Sequence, residues 1–336
     1  MAQLRLTRQQ ILAFRRRVGS LDERMPAGPE SLRRAAWAGL QDSMPRAALL
    51  SLNARVEEVG PSTWEDPSLA QLWGPRYSTY VVPKQDFALF SLGRLPESGK
   101  ARQRAENRAE RVRAHLGDAR MTDRDVMVAI GIGNDIRYAA TTGTIAIRWE
   151  GARAPVVWTV AAADIEPAEA SRELARRYLH VFGPTTADGF ARWAGVSRRA
   201  GAAAFAALEG SLLAVRTPLG DEWLLAEDEP AIRAPETAAA PARLLPSGDA
   251  YFLLDGAERE LLVPRAEQRA LLWTSRVWPG ALLVEGEIRG TWRRSQHSVR
   301  IDAWERLSRT RRDAVETEAA SLPLPGLERP IEVTWG

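Results

Sequence analysis

The spacing of apolar positions in this chain changes period several times, and the changes repeat. The runs Val112–Ala162 and Tyr178–Glu227 follow one plan. Each opens with a helical stretch ending in Leu116-Gly117 or Phe182-Gly183. Each then sets a threonine ahead of a short helix, Thr122 before Asp123–Ile130 and Thr186 before Ala187–Ala194. A hydroxyl at that point accepts from the unpaired N–H groups of the first turn. The helices break at glycine (Gly131 and Gly133; Gly195), restart, and give way to two strands of alternating polarity. The predicted strand pairs are Thr144–Trp149 with Val156–Ala161, and Ser211–Arg216 with Glu222–Ala226. Helix, helix-turn-helix and hairpin is the plan of a winged helix, which makes double-stranded DNA the first partner to consider.

The rest of the chain reads around this repeat. Thr7–Val18 has Ile11, Leu12, Phe14 and Val18 at helical spacing, and Pro26, Gly28 and Pro29 end it. Glu30–Gly39 and Pro45–Val56 predict two more helices and Arg76–Pro83 a strand, giving a first winged helix with a loop enlarged around Trp64–Trp73. The charge-dense stretch Glu97–Arg113 predicts a solvated linking helix. Asp228–Ala242, rich in Ala, Pro and Glu, reads as a linker. Beyond it the texture is β, with strands predicted at Arg243–Leu245, Tyr251–Asp255, Glu260–Val263, Ala281–Glu285, Glu287–Trp292, Ser298–Trp304 and Ile331–Trp335, and a helix at Arg309–Ser321. The expected fold class is α+β: three winged helices at about 5–95, 105–163 and 171–228, then a β-rich, barrel-like domain at 242–336.

Composition sharpens this picture only in part. Hydrophobic residues make up 45% of the 336, enough for packed cores, and the net charge of +3 does not by itself announce nucleic acid. The kind of base is more telling: Lys84 and Lys100 are the only lysines, so the positive charge is arginine, which suits phosphate and guanine edges. An arginine-rich codon usage gives the same composition without any such role. The absence of cysteine excludes disulfides, cysteine-ligated zinc and a thiol nucleophile. No apolar run has the length of a bilayer span, and the first twenty residues lack a leader pattern, so the cytoplasm is the expected compartment. A monomer needing no metal and no cofactor is expected.

Few motifs carry chemistry. Gly131-Ile132-Gly133 begins a dinucleotide fingerprint, but position 136 is isoleucine and the segment lies within the helix-turn-helix. His115, His180 and His297 are dispersed and lack carboxylates at ligand spacing. Arg198 and Arg199 fall in the first turn of the third unit's recognition helix, the turn that enters a groove. Arg293, Arg294, Gln296 and His297 crowd the tip of a hairpin, Thr291–Arg300, suited to phosphates or a groove. Exposed, merely solvated side chains are the competing reading for both clusters. Arg46 and Arg76 join the expected DNA footprint through their nearness to Gln41 and to the first wing.

The run Ala38–Leu50 (AGLQDSMPRAALL), the segment GPTTADGFARWAG, the RLLPSGDAYFLL opening of the C-terminal domain, Gly74–Asp86 and Gly280–Trp292 together resemble the AlkZ-type winged-helix DNA glycosylases. The resemblance covers nearly the whole chain, and the shared order of its motifs is more specific than any one of them. It implies three winged helices and a β-barrel clasped around duplex DNA, and removal of bases alkylated at guanine N7, interstrand crosslinks included. The family's catalytic motif follows a Gly-Leu and has two glutamines separated by one apolar residue, with aspartate as the second in a sister branch. Gly39-Leu40 and Gln41 match; Asp42 stands at the apolar position and Ser43 at the second catalytic one. Tyr80 occupies a position where relatives often carry histidine. Asp42 is a further catalytic candidate, as a water-orienting base, but two side chains two residues apart on an extended segment point the same way, so Gln41 and Ser43 face together and Asp42 faces opposite. A natural alternative makes Ser43 a helix N-cap and leaves Gln41 a loop residue. The chain then divides between a glycosylase and a non-catalytic DNA-binding regulator or damage sensor, with a binder of a small DNA-reactive metabolite as a third class.

Overall fold

The structure is a computed structural model that describes residues 3–151, 153–235, 241–326 and 329–336. Its fold is mixed α+β. The first segment contains β1 (Leu4–Arg5), α1 (Arg8–Val18), α2 (Pro29–Ala35), β2 (Leu40–Gln41), α3 (Ala47–Asn53), β3 (Leu69–Trp73), β4 (Thr79–Pro83) and α4 (Phe87–Leu92). The second contains α5 (Gly99–Leu116), β5 (Met121–Thr122), α6 (Asp123–Ile130), α7 (Ile136–Ala139), β6 (Ile145–Arg148) and β7 (Val156–Thr159). The third contains α8 (Pro167–Phe182), α9 (Ala187–Ala194), α10 (Arg198–Ala206), β8 (Leu212–Thr217), β9 (Gly220–Leu225) and α11 (Glu229–Arg233). The last contains β10 (Arg243–Leu245), α12 (Glu258–Leu262), α13 (Ala266–Leu272), β11 (Gly280–Val284), β12 (Glu287–Ser295), β13 (Ser298–Ala303), α14 (Arg309–Ala320) and β14 (Glu332–Trp335).

The repeat read from the sequence is set by matching local signals. Thr122 and Thr186 each accept a hydrogen bond from a first-turn N–H, of Asp125 and Gly189. Gly131 and Gly195 end those helices in the left-handed region, at φ 64° and 74°, where glycine carries no Cβ penalty. A short extended piece pairs beside each hairpin: β5 with β7, and Thr185 with Trp223. The restart after Gly131 is shorter than the pattern suggests, four residues in α7. The three small sheets run β2-β4-β3, β5-β7-β6 and β1-β8-β9.

The segments pack as one body. Tyr80, Phe90, Tyr178, Phe190, Phe252 and Leu283 share a single core drawn from the first, third and last segments. Strand β1 pairs in parallel with β8, Leu4 opposite Val215, and α1 buries Ile11 and Phe14 against Val215 and Leu224. The charge-dense helix α5 is solvated as expected, burying only Ala105, Ala109, Val112 and Leu116.

Several sequence expectations are corrected. Tyr251–Asp255 is not a strand but an irregular buried turn, because the Asp249 carboxylate accepts from the Tyr251 N–H while residues 251–254 fill the central core. Glu260–Val263 folds as helix α12. The expected strand at Arg76–Pro83 begins only at Thr79, since Arg76 and Tyr77 take φ 56° in a tight turn. The predicted barrel is an open five-stranded sheet, β10-β11-β12-β13-β14. Its apolar face is covered by α14, with Leu244, Trp292, Val299 and Ile301 against Val315, Ala319 and Leu322, so closure is not needed to bury it. Residues 236–240 of the expected linker lie outside the described residues, and Glu229–Arg233 within it is helical. Among the described residues no helix is long and apolar enough to cross a membrane.

Candidate active site

Gln41 ends the two-residue strand β2, opposite Tyr80 on β4, and the Asp42 N–H extends the pairing to the Thr79 carbonyl at 2.7 Å. Gly39 makes the approach possible. It sits at φ 79°, and a Cβ there would lie 3.0 Å from both the Phe90 and the Tyr80 ring. Extended geometry then separates the three residues of the motif. Asp42 is buried, Gln41 half-buried and Ser43 exposed. The Gln41 Nε2 donates to the Ser43 Oγ, while Gln41 Oε1 is buried without a partner among the described residues. Rotating the amide by 180° exchanges the atoms, with the same result: serine holds one end of the amide and the other is buried and unpaired.

Gly248 closes over this amide. A Cβ there would stand 3.2 Å from Gln41 Cδ, and its φ of 78° is one that glycine adopts without strain. The loop bearing Gly248 is fixed from below. Asp249 is fully buried and accepts from Ser51 Oγ at 2.6 Å and from both Arg55 nitrogens at 2.7 Å. Thus α3 and the opening of the last segment are bolted together beneath Gln41. Within the RLLPSGDAYFLL run this buried pair holds Asp249, while Leu245 and residues 250–254 pack in the central core.

Asp42 anchors the other side. Its Oδ1 accepts from the Ala48 N–H at 3.0 Å and its Oδ2 from Gln71 Nε2 at 2.8 Å. It therefore does for α3 what the sequence assigned to Ser43: the cap is a buried carboxylate, and the residue before Ala47 is Arg46 in the left-handed region. Gln71 in turn accepts from the Trp149 N–H at 2.7 Å, tying this loop to the turn between β6 and β7. Burial pushes the Asp42 carboxyl up to about 6, against the pull of the Ala48 N–H, Arg46, Gln71 and Arg148. A carboxyl raised in this way favours the fold fully below the unfolded value of about 3.9, and that contribution is lost as pH rises through about 6. Compared with an Asp42→Asn variant, wild type should therefore lose melting temperature between pH 4 and pH 7; a gap constant over that range would contradict this account.

The expected DNA-facing residues divide into groups. Arg46 is not free: its guanidinium lies 3.4 Å from the centre of the Trp64 ring, where Arg148 also stacks at 3.6 Å. Arg76 stands 3.9 Å from Asp255, which also pairs with Arg259 at 3.2 Å. The Arg76 backbone packs on Gly195, which leads into α10. Arg198 and Arg199 are exposed, Arg198 facing Asp188 at 3.6 Å. The hairpin tip is a two-residue turn at Gln296 and His297, and Arg293, Arg294 and Gln296 are exposed. Arg293 donates to the Val277 carbonyl, and His297 lies 3.9 Å from Glu332. Arg259 sits over Trp278, the neighbour of Val277, at 5.2 Å. Contacts thus run from α10 through Arg76, Asp255, Arg259 and Trp278 to the base of that hairpin. Sequence reasoning missed Gln71, Trp64, Arg148, Ser51, Arg55, Gly248 and Asp249. Arg55, a charge ending an apolar helix, carried a signal, and Gly248 and Asp249 lie within the RLLPSGDAYFLL run. Among the described residues no group of three or more His, Asp or Glu could hold a metal ion.

In structure the chain is similar to the DNA glycosylase AlkZ of Streptomyces sahachiroi, with a TM-score of 0.79 at 18% identity, covering 99% of this chain and 100% of that one. No curated protein matches the sequence. The model of the family described as DNA glycosylase AlkZ-like matches residues 34–323, most of the chain and all of the Gln41 niche, and the chain therefore belongs to that family.

Proposed function

We propose that the protein is a monofunctional DNA glycosylase acting on double-stranded DNA, releasing bases alkylated or crosslinked at guanine N7. The observation that carries this reading is the amide of Gln41, held at one end by Ser43 and buried without a partner at the other, under the backbone of Gly248. N7 alkylation makes the base cationic and a ready leaving group. The bond from the sugar C1′ to the base nitrogen breaks, the electron pair leaves with the base, and water adds to C1′ and loses a proton. The protein then needs only to place that water and to stabilise the developing sugar cation. The unpaired end of the Gln41 amide is the positioning group in this reading, with the Ser43 hydroxyl in place of the second amide. Asp42, with both oxygens engaged, holds the loop and does not touch the substrate.

In the same reading the three helix–helix–hairpin units are winged helices over 5–95, 105–163 and 171–228, followed by the 242–336 domain. Duplex DNA lies along the line of Arg198, Arg199, Arg76 and Arg293, with Arg294, Gln296 and His297 at its far end. Ser43, which is not an amide, favours a second reading: a damage sensor of the same fold without catalysis. One experiment separates them. Incubation with a duplex containing N7-methylguanine should yield free base and alkali-labile sites. Duplex binding should weaken with salt, each phosphate contact adding about one unit to the slope of log affinity on log salt. Salt-sensitive binding without base release selects the sensor, and absence of duplex binding at low salt removes both readings.

A further inference from the structure

A cleft of about 560 Å³ lies away from Gln41, where the three units meet. The first turns of three helices line it: Ser98 and Ala101 of α5, Pro167 and Ala168 of α8, Ser197 and Arg199 of α10. These helices are 18, 16 and 9 residues long, so each carries a full macrodipole with its positive end here. Neither α5 nor α8 has a side-chain cap on its first-turn N–H groups. Each such end offers unpaired N–H groups and the positive end of a dipole to an anion.

A second, independent observation comes from Arg94, which lines the same cleft. It is 1% exposed, yet it forms no ion pair among the described residues. Its Nε and Nη2 donate to the carbonyls of Phe90 and Trp73 at 3.0 and 2.5 Å, and its Nη1 has no partner among the described residues. Burial pushes its pKa down to about 10, against the opposing influence of Tyr77 and Tyr80, and the Tyr77 ring lies 5.2 Å from its guanidinium. An arginine buried without a counter-charge is costly unless a ligand supplies one. Arg199 adds a second guanidinium, exposed and in no ion pair among the described residues, whereas Arg102 is already paired with Glu106 at 2.8 Å. The carboxylates lining the cleft are Glu97 and Glu166, both solvent-exposed, whereas Arg94 is not.

We propose that this cleft is a phosphate-binding site, in which the first turns of α5, α8 and α10, Arg94 and Arg199 together hold one phosphate group. Two sources share that chemistry: a backbone phosphodiester of the duplex, which rests on the function proposed above, and free phosphate, which does not. The position of Arg199 on α10, beside the exposed Arg198 in the proposed line of DNA-facing arginines, favours the phosphodiester.

The test begins with inorganic phosphate against sodium chloride at matched ionic strength. Phosphate should raise the melting temperature of wild type saturably, by about 2–4 °C. The rise should vanish in Arg94→Gln and be at least halved in Arg199→Ala. Arg199→Ala alone decides should Arg94→Gln fail to fold, since Arg199 is exposed. No gain over chloride, or equal gains in wild type and Arg199→Ala, overturns the site. For the phosphodiester, Arg199→Ala should lower the log–log salt slope of duplex binding by about one unit, and phosphate should compete with the duplex on wild type. Phosphate stabilisation without such competition supports the site with free phosphate as its ligand. Normal duplex binding without phosphate stabilisation removes the cleft and leaves the proposed function. Phosphate stabilisation without duplex binding does the reverse.

Discussion

Gln41→Ala is expected to slow release of an N7-alkylated base by about a hundredfold or more while leaving duplex affinity nearly unchanged. Loss of one well-aimed polar group at a developing charge typically has an effect of that size. The separation of rate from binding follows from geometry. Gln41 is half-buried beneath Gly248, and its amide contacts Ser43 rather than the exposed arginines. Folding should be little affected, because alanine preserves the β2 backbone pairing with Tyr80. Ser43→Gln should raise the rate, since it returns the second amide of the family motif and frees Gln41 from its bond to the serine. A Gln41→Ala protein that releases base at the wild-type rate would remove the niche from catalysis. Wild type that releases none, whatever stands at position 43, would leave the sensor.

What the sequence makes legible here is whatever is encoded locally. The paired threonine caps and left-handed glycines of the second and third units act within one or two turns, and both repeats fold where those signals lie. The opposed facing of Gln41 and Asp42 follows from the two-residue period of an extended segment, and the structure shows it. Long-range partners leave no such trace. Asp42 binds Gln71, Gly248 roofs Gln41, and β1 joins β8 from the opposite end of three units. Buried apolar runs are ambiguous for a different reason: Tyr251–Asp255 and Glu260–Val263 are apolar enough for strands, and only the Asp249 turn and the surrounding core make one a bend and the other part of a helix. Arg46 shows the limit for charge. Its place beside Gln41 suggested DNA, but an aromatic ring 18 positions away holds its guanidinium.

Arg55→Met should destabilise the protein by about 3–5 kcal/mol, more than any surface arginine, and should do so by leaving Asp249 charged and unpaired. Asp249 has no solvent contact in its side chain and Arg55 has 4%, so water cannot replace the lost partner. The Ser51 hydroxyl and the Tyr251 N–H would remain as its donors, too few for a carboxylate that now takes two bonds from one guanidinium. Chemical denaturation of the two proteins measures the difference, and a loss under about 1 kcal/mol would mean that the pair is not a buried clamp. The double variant Arg55→Met, Asp249→Leu separates stability from positioning. Replacing a buried ion pair with apolar groups of similar size is often close to neutral, so much of the lost stability should return. Base release should not return with it. The Asp249 carboxylate shapes the turn that sets Gly248 against the Gln41 amide, and leucine supplies no acceptor for the Tyr251 N–H. A double variant that recovers both stability and rate would show that the roof over Gln41 is held by the surrounding core alone.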